Sequence, residues 1–236
     1  MPENISVLQF AGRPDEWFSL LGNLNAGYLA PVKTKIKNIR DEMLSFLDSF
    51  TVHFGPVTAL KILREELPHE TIITFDVGSH LHLAGQMWNT GGYGNFIISN
   101  GWSGMGFGIP AAIAAAIARP GTKCVCITGD GGFLMTAGEI MTARRYNLPV
   151  VIVVFSDGEL NLIRLKQSWR DVTPCGTNIY KGDLFGSDKF LGIRVLKADS
   201  HESLKKSVNT ALVLSEPVII NVIIDPEDYK WLVVKR

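Results

Sequence analysis

A run typical of a buried strand, at 123–128, is followed directly by a glycine-rich loop with one acidic residue, at 129–133. The whole stretch reads Lys123-Cys124-Val125-Cys126-Ile127-Thr128-Gly129-Asp130-Gly131-Gly132-Phe133. Glycines allow a backbone to approach an anion closely and to turn through positive φ angles. We expect a helix to begin soon after Phe133, so that the free N–H groups of its first turn face the loop, a geometry that suits a phosphate. The stretch therefore predicts a strand, an anion-binding loop and a helix, in that order.

A regular alternation of strands and helices extends from Gly55 toward the end of the chain. Pro56 stands where a helix would start, and apolar residues follow it at helical spacing. The run at 150–155 does not alternate between apolar and polar residues, which is typical of a strand covered on both faces in a parallel sheet. The predicted strands are 71–75, 96–98, 123–128, 150–155, 193–196 and 217–224, and the later helices are 111–118, 137–146 and 203–214. The fold class is therefore α/β, with a doubly wound parallel sheet and helices on both faces.

Composition narrows the class of protein. The chain has 236 residues, which at about 100–200 residues per domain allows one large domain, or one domain with a fragment of another. Its 23 Lys and Arg balance its 23 Asp and Glu. Nucleic-acid binders need an excess of Lys and Arg side chains, so we expect no nucleic-acid partner.

The sequence begins without the pattern of a signal peptide, and its longest weakly polar run, 105–118, is too short for a membrane helix. We expect a cytoplasmic protein with no membrane association.

The cysteines are expected to be free thiols rather than disulfides. Three cysteines are too few for a disulfide framework, and Cys124 and Cys126 lie two apart in an apolar run, so we expect buried free thiols.

Residues 1–50 lack strand–helix alternation. They contain a cationic stretch at 33–40, interpreted as a solvated edge, and a short amphipathic helix near 41–50. We therefore predict an appendage at 1–50 and an α/β domain at 51–236.

Small or acidic residues follow three of the first four predicted strands, at 76–80, 129–133 and 156–159. Ligands of parallel α/β sheets bind beyond the carboxyl ends of the strands. Asp130 lies in a loop suited to phosphate, which its carboxylate would repel unless a divalent cation lay between them. Mg²⁺ takes one or two carboxylates together with phosphate oxygens, and Asp157 is the candidate second carboxylate. The alternatives without a ligand are a helix N-cap at Asp130 and a tight turn at the glycines after it.

Three stretches, in order along the chain, resemble motifs of the thiamine diphosphate-dependent enzymes, and the similarity is greatest to acetolactate synthase large subunits. Gly129-Asp130-Gly131, then 25 residues and Asp157, resembles the family's motif from Gly-Asp-Gly to Asn-Asn or Asn-Asp. Asp76-Val77-Gly78-Ser79-His80 resembles Asp-Val-Gly-Gln-His, and residues 99–112 resemble a segment that ends in Met-Gly-Phe-Gly-Leu-Pro-Ala-Ala. The resemblance covers about residues 55–225. It implies the thiamine diphosphate-binding fold, with thiamine diphosphate and Mg²⁺ as cofactors.

The resemblance also implies a role for each matching residue. The side chains of Asp130 and Asp157, with the backbone oxygen of Glu159, would hold Mg²⁺; Asp157 departs from the commoner Asn but still supplies an oxygen. Met105 matches the bulky residue that holds the cofactor bent, and the Ser103 carbonyl would meet the pyrimidine amino group. The other cofactor-binding residues, at the diphosphate, would be Gly78, Ser79, His80, Gly129, Gly131, Gly132 and Phe133.

As an activity, the resemblance implies a carboligase or 2-oxo-acid decarboxylase, a lyase or transferase, acting on a 2-oxo acid or acyl substrate. The family's activating Glu lies in a separate pyrimidine-binding domain, which we do not find in this sequence. The first 50 residues resemble at most the tail of the family's middle domain. We therefore expect the chain to supply the diphosphate half of an active site, with no catalytic residue of its own, and to work with a pyrimidine-binding domain or subunit as a homo- or hetero-oligomer.

The reaction itself stays open at this point. Acetolactate synthases typically carry Trp at the position of Lys166. Arg164 or Lys166 could meet an acidic substrate group, or both could face solvent. The alternatives are a β subunit of a two-gene 2-oxo-acid decarboxylase and a non-catalytic binding module or truncated gene product.

Overall fold

The computed structural model describes residues 29–50, 54–90 and 94–232. Within them, seven strands form one sheet in the order β2-β1-β3-β4-β7-β6-β5. All neighbouring strands are parallel except β5, which pairs antiparallel with β6 at one edge. The strands are β1 Ile72–Phe75, β2 Phe96–Ile98, β3 Cys124–Gly129, β4 Val150–Ser156, β5 Lys189–Phe190, β6 Ile193–Ala198 and β7 Val218–Ile223. The predicted parallel sheet and its six strands are confirmed, and the two-residue β5 is an addition.

Helices cover both faces of this sheet, as predicted. They are α1 Leu29–Phe50, α2 Pro56–Glu66, α3 Ser79–Met87, α4 Gly108–Ala118, α5 Asp130–Thr136, α6 Ile140–Arg145, α7 Asn161–Ser168 and α8 His201–Val213, with 3-10 turns at Ala137–Glu139 and Pro226–Trp231. Strand side chains alternate between faces. Odd-numbered apolar residues of β4 pack in a core cluster with α2, α3 and α8, and even-numbered ones in a second cluster with α4, α5 and α6.

The start of α5 corrects one prediction. The helix begins at Asp130 rather than after Phe133, and Gly129 is its N-cap, so Asp130 is not a cap. The two glycines that suggested a loop are held in the helix because their backbones pack closely against neighbouring side chains. The predicted helix at 137–146 is divided between a 3-10 turn and α6.

The amino-terminal part of the chain contains a longer helix than predicted. α1 begins at Leu29 and includes the cationic stretch, whose Lys35 and Lys37 are exposed on a helix. The chain divides into two compact units between Glu42 and Met43, and the described residues after that division form the α/β unit. Residues 1–28 of the predicted appendage lie outside the described residues. Neither α1 nor any other helix in the described ranges is long and apolar enough to cross a membrane.

Candidate functional site

A cavity of about 240 Å³ opens where the neighbouring strands β1, β3 and β4 end. Because parallel strands share one carboxyl edge, the loops that follow them meet there. Of the twelve predicted cofactor-binding residues, eleven line this cavity: Gly78, Ser79, His80, Ser103, Met105, Gly129, Asp130, Gly131, Gly132, Asp157 and Glu159. The exception is Phe133, whose fully buried ring packs against Phe185 and Phe190 in the apolar core.

The Asp130 carboxylate joins the end of β3 to the loop after β4. Its Oδ1 accepts a hydrogen bond from the Gly131 N–H at 2.7 Å. Its Oδ2 accepts from the N–H groups of Asp157 and Gly158, at 3.1 and 2.7 Å, and from the Tyr180 hydroxyl at 3.0 Å. Burial raises the pKa of this carboxyl above its ordinary value, and the hydrogen bonds oppose that effect. Asp130 therefore fixes the backbone that carries Asp157.

Asp157 forms the second half of a carboxylate pair. Burial, with the nearby charge of Asp130, raises the pKa of Asp157 to about 8. Two adjacent buried carboxylates are costly to ionise together unless a cation lies beside them. No group of three or more His, Cys, Asp or Glu side chains suited to a metal occurs in the described part of the chain. A cation bound here would therefore need further oxygens from the backbone or from a ligand.

Asp76, at the end of β1, is an organising residue to which the sequence assigned no role. Its buried carboxylate accepts from the N–H groups of Gly106 and Phe107, at 2.9 and 3.1 Å, and from the Thr128 hydroxyl at 3.0 Å. The Val77 N–H donates to it as well, at 2.8 Å. These bonds tie the loop before α4, which carries the predicted Ser103 and Met105, to the ends of β1 and β3.

Close backbone approach requires glycine at the first turn of α5. A Cβ on Gly131 would lie 2.9 Å from Leu160 Cδ2 and 3.1 Å from Met105 Cε. A Cβ on Gly132 would collide with the Asp76 carboxylate. Met105 and Leu160 thus meet over Gly131 at the cavity wall.

Three side chains that line the cavity have a buried polar atom with no hydrogen-bond partner among the described residues. They are Ser79 Oγ, His80 Nε2 and Asn161 Nδ2. Leaving such a group unpaired costs roughly 1–3 kcal/mol, so their convergence indicates a polar ligand. Burial lowers the pKa of His80 to about 4, so its imidazole is neutral at pH 7. The residues present fit an anionic group accompanied by a cation.

Arg164 of α7 is bound within the protein at the edge of this cavity. Its Nε lies 2.8 Å from Glu159 Oε2, and its Nε and Nη2 donate to Asn161 Oδ1 at 3.0 and 2.8 Å. The Thr177 hydroxyl donates to the other Glu159 oxygen at 2.7 Å. The guanidinium therefore has protein partners, which neither sequence-based interpretation anticipated, whereas Lys166 is exposed.

Comparisons with known proteins identify the family to which the chain is similar. Residues 76–222 match a family model described as thiamine pyrophosphate enzyme, C-terminal TPP binding domain. The chain is 32% identical over 184 residues to a probable acetolactate synthase large subunit of Methanococcus aeolicus, covering 72% of this chain and 30% of that protein. It is 32% identical over 174 residues to the acetolactate synthase isozyme 2 large subunit of Escherichia coli, covering 73% and 32%. A putative thiamine pyrophosphate-containing protein of Bacillus subtilis is 27% identical over 177 residues, covering 75% and 31%. The chain thus spans about a third of the length of these curated relatives.

Proposed function

The chain belongs to the family of thiamine pyrophosphate enzymes through their C-terminal TPP-binding domain, and from this premise we propose that its cavity binds the diphosphate of the cofactor together with Mg²⁺. The observation that carries the proposal is the pair of acidic side chains after β3 and β4. The two carboxylates are close enough that Asp130 raises the pKa of Asp157. A Mg²⁺ ion held by these residues would stabilise both carboxylates in their ionised form, and Mg²⁺ is commonly bound by one or two carboxylates together with phosphate oxygens.

The ligand set that we propose follows the cavity wall. Side-chain oxygens of Asp130 and Asp157 and the backbone oxygen of Glu159 would hold Mg²⁺. The unpaired polar atoms of Ser79 and His80 would meet the diphosphate, as would the first turn of α5, where the other predicted cofactor-binding residues lie. Phe133 would contribute its backbone alone, because its ring belongs to the core. For Phe133 we therefore propose a backbone contact only, whereas the sequence-based prediction counted the whole residue among those that line the diphosphate.

Thiamine diphosphate, when bound, supplies an electron sink for bond cleavage and formation next to a carbonyl group. The protein's own contribution is binding, orientation and exclusion of water. Asp76 holds the loop that carries Met105, so the position of that side chain in the cavity wall is fixed. The cavity is also lined by the apolar residues Phe155, Leu162 and Ile163. Apolar surroundings strengthen the electrostatic contacts inside the cavity.

For the complete reaction we propose carboligation or decarboxylation of a 2-oxo acid. The names of the relatives support this class, since two of those compared are acetolactate synthases. The activating carboxylate would come from a pyrimidine-binding domain, on this or another polypeptide, and the cavity would then lie between domains of an oligomer. On this proposal the described cavity would supply the diphosphate half of the site, and the other domain would supply the pyrimidine half.

Calorimetry with thiamine diphosphate tests the proposal in buffers containing either Mg²⁺ or EDTA. We expect binding that requires Mg²⁺ and that Asp130→Ala reduces by at least about 100-fold, because the variant loses a charged ligand of the cation. Equal binding in EDTA, or wild-type affinity in the variant, would contradict the proposed site. The matched variant Asp188→Ala, at an exposed carboxylate, keeps full binding.

A further inference from the structure

We propose that Asn161 is an additional ligand-binding residue of the cavity, donating a hydrogen bond from Nδ2 to a phosphate oxygen, and that Arg164 is the positioning residue that orients its amide. This inference rests on the proposed function, because it assigns the phosphate to thiamine diphosphate. It concerns two side chains on α7, outside the three sequence motifs that point to the cofactor.

The first argument is the unsatisfied amide itself. Asn161 is the first residue of α7, is only 4% exposed and lines the cavity. Its amide nitrogen is buried and makes no hydrogen bond of ordinary geometry within the described ranges, although the Asp157 carboxylate lies near it. A buried NH₂ group without a well-placed acceptor is destabilising, so its position favours an acceptor supplied by a ligand. An anionic oxygen in the cavity would supply that acceptor.

The second argument is that the orientation of the amide is set in advance. Two guanidinium N–H groups of Arg164 donate to Asn161 Oδ1, at 3.0 and 2.8 Å, so the NH₂ group has to face away from Arg164. Arg164 is itself held by Glu159, and Glu159 by Thr177. A donor that is already fixed loses little entropy when its acceptor arrives.

The third argument is electrostatic. The Glu159 carboxylate at the cavity would repel a diphosphate if it were free. Its two oxygens are instead occupied by Arg164 and by the Thr177 hydroxyl, and the ion pair neutralises its charge. Arg164 thus favours anion binding in two ways: it orients the amide of Asn161, and it neutralises the negative charge of the Glu159 carboxylate.

Isothermal titration of the full chain with thiamine diphosphate in saturating Mg²⁺ tests the inference. Hydrogen bonds to charged groups predict that Asn161→Ala weakens binding by about 10- to 100-fold. We expect the same factor for inorganic pyrophosphate, because the contact is with phosphate. Asn161→Ser, which keeps a polar side chain but shortens it, gives an intermediate loss. Asn209→Ala on α8, away from the cavity lining, keeps wild-type affinity.

A double-mutant cycle separates positioning from general damage. Arg164→Met should weaken pyrophosphate binding several-fold in the wild-type background. The same change should have a much smaller effect in the Asn161→Ala background, because the amide through which it acts is missing. Arg170→Met, which removes an exposed guanidinium after α7, is the matched control. Equal losses in both backgrounds would overturn the positioning role.

The Asn161 side chain also lies close enough to Asp157 to counteract the rise in the pKa of that carboxyl, so a contact with phosphate has to be separated from an action through the metal ligand. Mn²⁺ binding without cofactor, followed by electron paramagnetic resonance, separates them. If Asn161 contacts phosphate, Asn161→Ala leaves Mn²⁺ affinity unchanged. A loss of Mn²⁺ affinity equal to that for pyrophosphate would mean that the amide acts through the metal ligands and would overturn the inference.

The failure of this inference is distinguishable from the failure of the proposed function. If wild type binds thiamine diphosphate and Asp130→Ala does not, while Asn161→Ala binds like wild type, this inference alone fails. Absence of binding to wild type overturns the proposed function as well.

Discussion

Asp157→Asn should stabilise the metal-free chain at neutral and alkaline pH. Burial, with the charge of Asp130, raises the pKa of Asp157 from an ordinary value of 3.8 to about 8. The folded state therefore keeps a proton that the unfolded state releases, and the free energy of unfolding falls as pH rises between about 4 and 8. Asparagine cannot ionise, yet its oxygen still accepts the hydrogen bond from the Glu159 N–H, which is 3.0 Å in the wild type.

The size of the effect follows from the same shift. At about 1.36 kcal/mol per pKa unit, raising a pKa from 3.8 to about 8 gives an upper limit of about 6 kcal/mol at pH 8. Asp157 lies at a cavity that solvent can enter, which weakens the electrostatic penalty. We therefore expect a gain of about 2–3 kcal/mol at pH 8 that disappears near pH 4. In the variant the free energy of unfolding should still fall as pH rises, but less steeply, because the pKa of Asp130 is raised as well.

Urea unfolding in EDTA at pH 4.5, 6, 7 and 8 measures this prediction through the free energy of unfolding of each chain. The matched variant Asp171→Asn removes an exposed carboxylate and should follow the wild-type curve. Parallel curves for wild type and Asp157→Asn, or a variant that is less stable at pH 8, would refute the argument that burial and the charge of Asp130 raise the pKa of Asp157.

Two further outcomes follow from packing and exposure. Gly132→Ala should cost at least about 2 kcal/mol in urea unfolding, because the new Cβ meets the Asp76 carboxylate, whereas Gly138→Ala should be nearly neutral, since that Cβ would have open space. Under native conditions a maleimide should label one cysteine quickly, the exposed Cys175, and the two buried thiols of β3, whose pKa burial raises, only after denaturation. Rapid labelling of all three would contradict the burial of β3.

The sheet could be predicted because its signal is local. Each central strand is a run of about six apolar, β-branched residues, and the unbroken run in β4 already indicates cover on both faces. β5, with two residues at an edge, has no such pattern. The start of α5 was predicted wrongly because glycine disfavours helices. Tertiary contacts override that preference, since Gly131 packs against Met105 and Leu160.

From the residues alone, the candidate site could be predicted only where its residues follow strands directly, whereas Ser103 and Met105 were predicted through the family resemblance. Asp130 and Asp157 follow β3 and β4, and parallel topology brings them together. Tyr180, which donates to Asp130 from 50 residues away, lies in a segment without periodicity, so no local signal points to it. The role of Arg164 depends in the same way on partners that only the folded chain reveals.

Asp76 and Asp157 follow strands on either side of β3, yet their hydrogen bonding gives them different tasks. Asp76 accepts from four donors of the chain, so its charge is compensated by the fold itself. Within the described residues, one backbone N–H donates to Asp157, and Asp130 lies close enough to raise its pKa. Removing the Asp76 carboxylate should therefore destabilise the loop whether or not a cation is present, whereas the effect of removing the Asp157 carboxylate should change sign with the cation. The carboxylate whose removal should stabilise the metal-free protein is therefore the one that we propose as a ligand of the cation.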